Sequence, residues 1–310
     1  MKRFVTKILH AKPTMYSSSV VLNVLGMQVY RTFFFYIRRV GRLPQHVSEQ
    51  YQSNLDTLNK KGVVAVPNFL PVDDYEHIKR EYQALYPQFK NDPSEIALPH
   101  VERMSLTDKR VSDRTRELFM NNPMVKAMAL GYLNRQLHLP LQVQYTRIFC
   151  SQEELNLPQN GGTNNVHFDG PLHIFKCFYY LTDTNENNAA FYYCLSSNRR
   201  LSLKRIWLEY RLSIRYALNK WNPDTRGEYT SNEPWVKITP EEMKKYNLEE
   251  SIMAVKGNTM VFADVGGFHR RGEFRIPGVR ETIEINYRNI ETLRNSFYPI
   301  EQRLKHVSKK

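Results

Sequence analysis

Cysteine is scarce: Cys150, Cys177 and Cys194 are the only three in 310 residues. Their spacing fits no zinc pattern, and three thiols cannot staple a secreted domain, so reduced core cysteines in a cytoplasmic setting are expected. Also missing is an unbroken apolar run long enough to span a bilayer. Val20 to Ile37 comes nearest, and Asn23, Gln28, Arg31 and Thr32 interrupt it. Residues 1–48 hold no acidic residue, although Lys2, Arg3, Lys7, Lys12, Arg31, Arg38, Arg39 and Arg42 all lie there. That bias resembles a transit peptide or a membrane-surface helix. The stretch from 50 to 138 has neither paired acids nor a phosphate-binding loop, and no internal repeat or low-complexity array is visible.

What is present is enough for a substantial core, with 41% hydrophobic residues and 12% aromatics. Lys and Arg outnumber Asp and Glu by 44 to 31, which leaves +13 and favours anionic partners such as phosphates, coenzyme A thioesters, acidic lipids or nucleic acid. On a helical wheel the four interrupting residues share one half, whereas Leu22, Leu25, Val29, Tyr30, Phe33, Tyr36 and Ile37 share the other. The spacing predicts an amphipathic helix ending by Gly41 to Pro44. It fits best as a helical prefix packed on the rest of the chain or as a peripheral membrane contact, with a membrane span or a cleaved targeting signal as the remaining readings.

Residues 62–70 read as a short buried strand closed by Pro67, and the helix after it starts at Asp73 and Asp74 and buries Ile78, Tyr82 and Leu85. A helical pattern returns over 112–138. From Leu139 the grammar is that of strands: 141–150, then 173–181 and 189–195, two aromatic-rich strands joined by a hairpin-like polar turn. Residues 199–220 form a basic amphipathic helix whose only acid is Glu209. It reads either as a solvated surface helix or as a lid presenting arginines to an anionic substrate. Strands resume at 252–255 and 259–263, and the last one, 281–289, puts Arg280, Thr282, Glu284 and Asn286 on one face and Ile283, Ile285 and Tyr287 on the other. The expected organisation is a basic helical prefix over 1–48, a mainly β domain over 49–300 interrupted by an insertion at about 199–250, and a basic tail over 301–310.

The chemistry concentrates in two short stretches. His167 and Asp169 alternate onto the same face of a strand, and His269 follows in Gly266-Gly267-Phe268-His269. Two histidines and one carboxylate can hold iron(II) while leaving about three coordination positions open. Eleven residues beyond His269, Arg280 offers a bidentate clamp for a carboxylate, and Thr282, on the same face, offers a hydroxyl to the same group. Arg275 competes with Arg280 for that role. His173, on the same parity as His167, is a further candidate near the metal; Lys176, on the opposite parity unless a bulge or bend intervenes, is a candidate second carboxylate clamp; and the cysteines are read as core thiols.

This pattern resembles the phytanoyl-CoA dioxygenase family of oxygenases. The His-x-Asp pair, the distal histidine and the following arginine carry the likeness, and GVVAVPNFL at 62–70 and NAAFYYCLSSN at 188–198 extend it over about residues 50–290. Ser196-Ser197-Asn198-Arg199 departs from the Pro, Gly and His usual at the second of these. The resemblance implies a double-stranded β-helix, a jelly-roll or cupin-like barrel with flanking helices. It implies iron(II) on His167, Asp169 and His269, 2-oxoglutarate on Arg280 and Thr282, and dioxygen as oxidant. The activity implied is hydroxylation of an unactivated carbon in a small-molecule, lipid or acyl-CoA-like substrate. Halogenating relatives lack the carboxylate ligand, and Asp169 is present. The alternative from another class is a non-catalytic metal-binding barrel associating with membranes or anionic partners; specific nucleic-acid binding is not expected.

Overall fold

The alternation that marks strands in the second half of the chain closes into two facing antiparallel sheets. The computed structural model describes residues 19–33, 47–91, 99–133, 142–159, 164–169, 174–221 and 236–288. Its strands are β1 (Val63–Val66), β2 (Lys90–Asn91), β3 (His100–Ser105), β4 (Gln142–Cys150), β5 (His167–Phe168), β6 (Ile174–Tyr180), β7 (Phe191–Cys194), β8 (Val236–Lys237), β9 (Glu250–Met253), β10 (Thr259–Asp264), β11 (His269–Arg271) and β12 (Gly278–Arg288). The larger sheet runs β1-β10-β6-β12-β4-β3-β2 and the smaller β8-β5-β11-β7-β9. This is the jelly-roll architecture expected from the sequence.

Two local expectations need correction. β6 and β7 are consecutive but do not form a hairpin: β6 pairs with β10 and β12, and β7 with β11 and β9. The polar turn between them carries the chain from one sheet to the other. The helix expected over 112–138 is two helices, α4 (Asp113–Met120) and α5 (Pro123–Leu133). Asn122 breaks it, because its side-chain oxygen accepts from the amides of Met124 at 3.0 Å and Val125 at 3.1 Å, which starts a new helix.

The remaining helices are α1 (Val20–Val24), α2 (Glu49–Lys61), α3 (Val72–Leu85), α6 (Leu203–Trp221) and α7 (Pro240–Lys245). Gly62 ends α2 at φ +84°, a left-handed conformation that suits glycine, and a Cβ there would collide with the Tyr193 hydroxyl. The outer face of the large sheet is covered by helices. Phe175, Cys177 and Tyr179 of β6 and Ile283, Ile285 and Tyr287 of β12 pack there with Ile78, Tyr82, Phe119 and Met128. Alternate residues turn inward, where Phe178 and Tyr180 meet Phe191 and Tyr193 of the small sheet. That second layer holds the site. All three cysteines are free and buried, as expected.

Residues 199–250, expected from the sequence to be an insertion, supply a strand built into the small sheet and a helix packed against it. β8 pairs with β5, placing Lys237 opposite His167, and α6 packs Leu208, Leu212 and Tyr216 with Phe168 and Phe268. The amphipathic helix expected at the N-terminus is broken at Leu25-Gly26, where Gly26 takes φ +83°, into α1 and a helical stretch over 27–33. This segment docks on α6, and its orientation is unexpected. Asn23 donates to the Ser213 carbonyl at 2.7 Å, Gln28 to Glu209 at 3.1 Å and Thr32 to Glu209 at 3.3 Å, so the polar half faces in. No helix among the described residues is long and apolar enough to cross a membrane. The tail at 301–310 and most of the prefix lie outside the described residues.

Candidate metal and carboxylate site

β11 lies between β5 and β7, so His269 sits directly opposite His167 on one side and Tyr193 on the other. Directly paired side chains are neighbours, and the two imidazole centroids are 4.5 Å apart. Asp169 follows β5 and is pinned by its amide, which donates to the Val265 carbonyl at 2.9 Å. Its Oδ1 lies 3.4 Å from His167 Nε2 and 3.3 Å from His269 Nε2. One ligand atom from each of the three buried residues falls within 4.8 Å of the others. The far nitrogens are also fixed. His167 Nδ1 donates to the Asn165 carbonyl at 2.6 Å and His269 Nδ1 to the Gly267 carbonyl at 2.9 Å, which turns both Nε2 lone pairs toward the centre.

Charge follows the same design. Burial, with the neighbouring His269, lowers the pKa of His167 and keeps its ring neutral. Burial would raise the Asp169 carboxyl, but the Lys176 ammonium and the two histidines outweigh it and hold it well below the carboxylate range. Lys176 from β6 makes a direct ion pair with Asp169. Counting parity from His167 pointed Lys176 away from the site; the two residues sit on different sheets, so that count does not carry across the turn. His173 lies outside the described residues.

The turn that delivers His269 is braced by residues that sequence reasoning passed over. Asp264, fully buried, accepts from the Gly266 amide at 2.8 Å and from the Tyr132 hydroxyl, and its carbonyl accepts from Tyr193 at 2.8 Å. Ser197, in the stretch that departs from the family pattern, accepts from the Phe268 amide at 2.8 Å. Arg205 donates to the Gly266 carbonyl at 2.9 Å and lies over the Phe268 ring at 3.8 Å. The idea that α6 presents its arginines to a substrate is therefore corrected for Arg200 and Arg205. Both are buried on Glu209, because an unpaired carboxylate could not stay inside.

On the large sheet, Arg280 and Thr282 face inward as the alternation required. Arg280 is 4% exposed and donates Nη1 to the Ala189 carbonyl at 2.7 Å, with its guanidinium 5.7 Å from the Tyr180 ring centre. Thr282 pairs with Thr146 on β4 and with Tyr180 on β6, so the three side chains lie abreast. Arg280 Nε and the hydroxyls of Thr282, Thr146 and Tyr180 are all buried without a hydrogen-bond partner. Each such group costs about 1–3 kcal/mol when left unsatisfied. Four of them in one place form a cradle for a multidentate acceptor, and a carboxylate has the right shape and charge. Burial raises the Tyr180 hydroxyl above its ordinary pKa, so it remains a donor. Arg275, the rival, is 63% exposed and faces Glu186 at 3.7 Å on the surface. Thr146 and Tyr180 were missed, although inward parity on β4 and β6 was the available signal. Further along β12, Glu284 and Asn286 continue the inward row. Gln144 reaches Glu284 at 3.5 Å and Asn286 donates to Gln142 at 3.3 Å, which makes this wall polar.

No family model matches the sequence, and no curated protein matches it. Solved structures do. The epimerase SnoN in complex with Fe3+, alpha ketoglutarate and nogalamycin RO is similar over 76% of this chain and 82% of its own, with a TM-score of 0.52 and 13% identity. HygX from Streptomyces hygroscopicus, with nickel and 2-oxoglutarate bound, covers 78% and 87% at a TM-score of 0.47 and 13% identity. The alpha ketoglutarate dependent carbocyclase SnoK covers 86% and 94% at 0.47 and 12%. At such identity, the likeness to SnoN shows a shared fold.

Proposed function

We propose that this protein is an iron(II)- and 2-oxoglutarate-dependent dioxygenase that hydroxylates a small-molecule substrate, in the manner of the phytanoyl-CoA dioxygenase family it resembles in sequence. One observation carries the reading: a converged His167-Asp169-His269 centre and a partnerless donor cradle around Arg280 line the same barrel interior. A fold-mate that binds Fe3+ and alpha ketoglutarate supports it.

His167, Asp169 and His269 would hold iron(II) on one face and leave the opposite face open. The bound metal, with 2-oxoglutarate, supplies dioxygen activation coupled to oxidative decarboxylation to succinate and carbon dioxide. The chain's own work is placement. Arg280 takes the far carboxylate of the cosubstrate through its fork, and Thr282, Thr146 and Tyr180 donate to the same group in a dry pocket where such bonds are strong. Lys176 keeps Asp169 ionised and ready as a ligand. The polar wall of Glu284, Gln144 and Asn286 favours a substrate with hydrogen-bonding groups near the reacting carbon over a bare hydrocarbon chain. A compound panel scored by stimulated succinate release checks this, and stimulation by hydrocarbons alone would reject it.

The test of the main reading is succinate formation from 2-oxoglutarate by protein loaded with iron(II). Turnover is expected in the wild type and absent in His167→Ala. Iron bound, as measured by calorimetry, with no succinate formed would reject the reading, and so would undiminished turnover in His167→Ala.

A further inference from the structure

The helix at the N-terminus is turned inside out relative to a water-facing helix. Its polar residues Asn23, Gln28 and Thr32 are buried on α6, and every exposed residue between Ser19 and Phe33 is apolar or aromatic: Val21, Val24, Leu25, Tyr30 and Phe33. Leu25 is 73% exposed and Phe33 54%. Two anchors cause this: Asn23 holds α1 on the Ser213 carbonyl, and beyond the break at Leu25-Gly26 the buried Glu209 carboxylate recruits Gln28 and Thr32 as donors, so on both sides of the break the apolar residues point outward. In sequence the run continues through Phe34, Phe35, Tyr36 and Ile37 to Arg38 and Arg39.

The apolar face is continuous with a stripe on α6. Tyr210 donates to the Val24 carbonyl at 2.9 Å and stacks on Trp207, which is 57% exposed. Leu203, Trp207, Arg211 and Leu218 are exposed along that side, with Lys204 beside them. Trp and Tyr flanked by Leu, Arg and Lys is the mixture that settles at a membrane–water boundary.

Charge identifies the occupant. Segments 1–48 and 199–221 together hold 15 of the 44 Lys and Arg residues but one of the 31 Asp and Glu, which leaves 29 against 30 for the rest of the chain. The whole of the +13 therefore resides in these two segments, the described parts of which pack together, and their only carboxylate, Glu209, is buried. A second copy of the chain would bring its own Lys204 and Arg211 to the face and be repelled. A negatively charged bilayer meets both demands, covering the apolar groups and neutralising the exposed Lys204 and Arg211, whereas Arg200 and Arg205 are already paired with Glu209 and Arg215 with Glu242.

We infer that the N-terminal helix and the outer side of α6 form a docking surface for anionic phospholipid membranes, peripheral rather than spanning. The inference is independent of the proposed activity. The test is co-sedimentation of the full chain with phosphatidylcholine vesicles and with mixed phosphatidylcholine–phosphatidylserine vesicles. Binding is expected to the mixed vesicles, to weaken with added salt, and to fall by about tenfold or more in Leu25→Glu/Phe33→Glu. Charge reversal in Lys204→Glu/Arg211→Glu is expected to reduce binding to mixed vesicles by about tenfold. All four positions are exposed, so thermal melting should match the wild type and separate lost docking from lost folding. Three outcomes would overturn the inference: no association with either composition, equal association of the variants, or a lipid-free dimer that Leu25→Glu/Phe33→Glu dissociates.

Discussion

Replacing Glu209 by glutamine removes one charge and little volume, and the structure gives the cost in two ways. The carboxylate accepts from Arg200 at 2.7 and 2.5 Å, from Arg205 at 2.8 Å, and from Gln28 and Thr32. Breaking such a buried pair strands its cations and costs about 3–5 kcal/mol. The acid side agrees. Burial opposes ionisation, but Arg200 and Arg205 outweigh it and lower the carboxyl to about 2 from an ordinary 4.5, worth about 3 kcal/mol. Because the folded value is depressed, this stability is fully present above about pH 4.5 and is lost as the pH falls toward 2. Glu209→Gln is therefore expected to melt roughly 10 °C lower at neutral pH, by circular dichroism. The gap should narrow below about pH 4.5 and close only toward pH 2, where the folded wild type protonates too. A shift under about 2 °C at neutral pH, or one that does not change with pH, would refute the reasoning. Since Arg205 also braces Gly266, iron affinity should fall by about tenfold in the same variant.

Arg280→Lys keeps the charge but loses the fork, so KM for 2-oxoglutarate should rise about tenfold or more with iron binding unchanged; steady-state succinate assays and calorimetry check both. Tyr180→Phe removes a partnerless hydroxyl and should raise the melting temperature of the ligand-free protein while raising KM for 2-oxoglutarate, and a destabilised variant would contradict the cradle. Lys176→Met removes the ammonium that helps hold Asp169 ionised in its buried position, and calorimetry should show iron(II) bound several-fold more weakly.

The shared face of His167 and Asp169 and the inward face of Arg280 and Thr282 were legible because a strand's period is fixed. Knowing that 167 and 169 share a face, or 280 and 282, needs no tertiary information. The partners of a strand are not encoded in its own alternation, which is why β6 and β7 read as a hairpin and Lys176 read as pointing away. β3 escaped notice altogether, because HVERMS has no regular apolar alternation and gains its place only by pairing with β4. On the N-terminal helix the wheel separated the two halves correctly, but the sign of burial depended on two distant acceptors, the Ser213 carbonyl and Glu209. Periodicity finds a face; it does not say what the face will meet.

β5 is two residues long and is flanked by β11 and by β8, a strand that residues 199–250 contribute. Trimming residues 199–250 to reach a minimal barrel would leave the backbone of His167 and Phe168 as an unprotected edge and uncover Phe168 and Phe268 at once. Shortened versions of this protein should therefore aggregate through that edge.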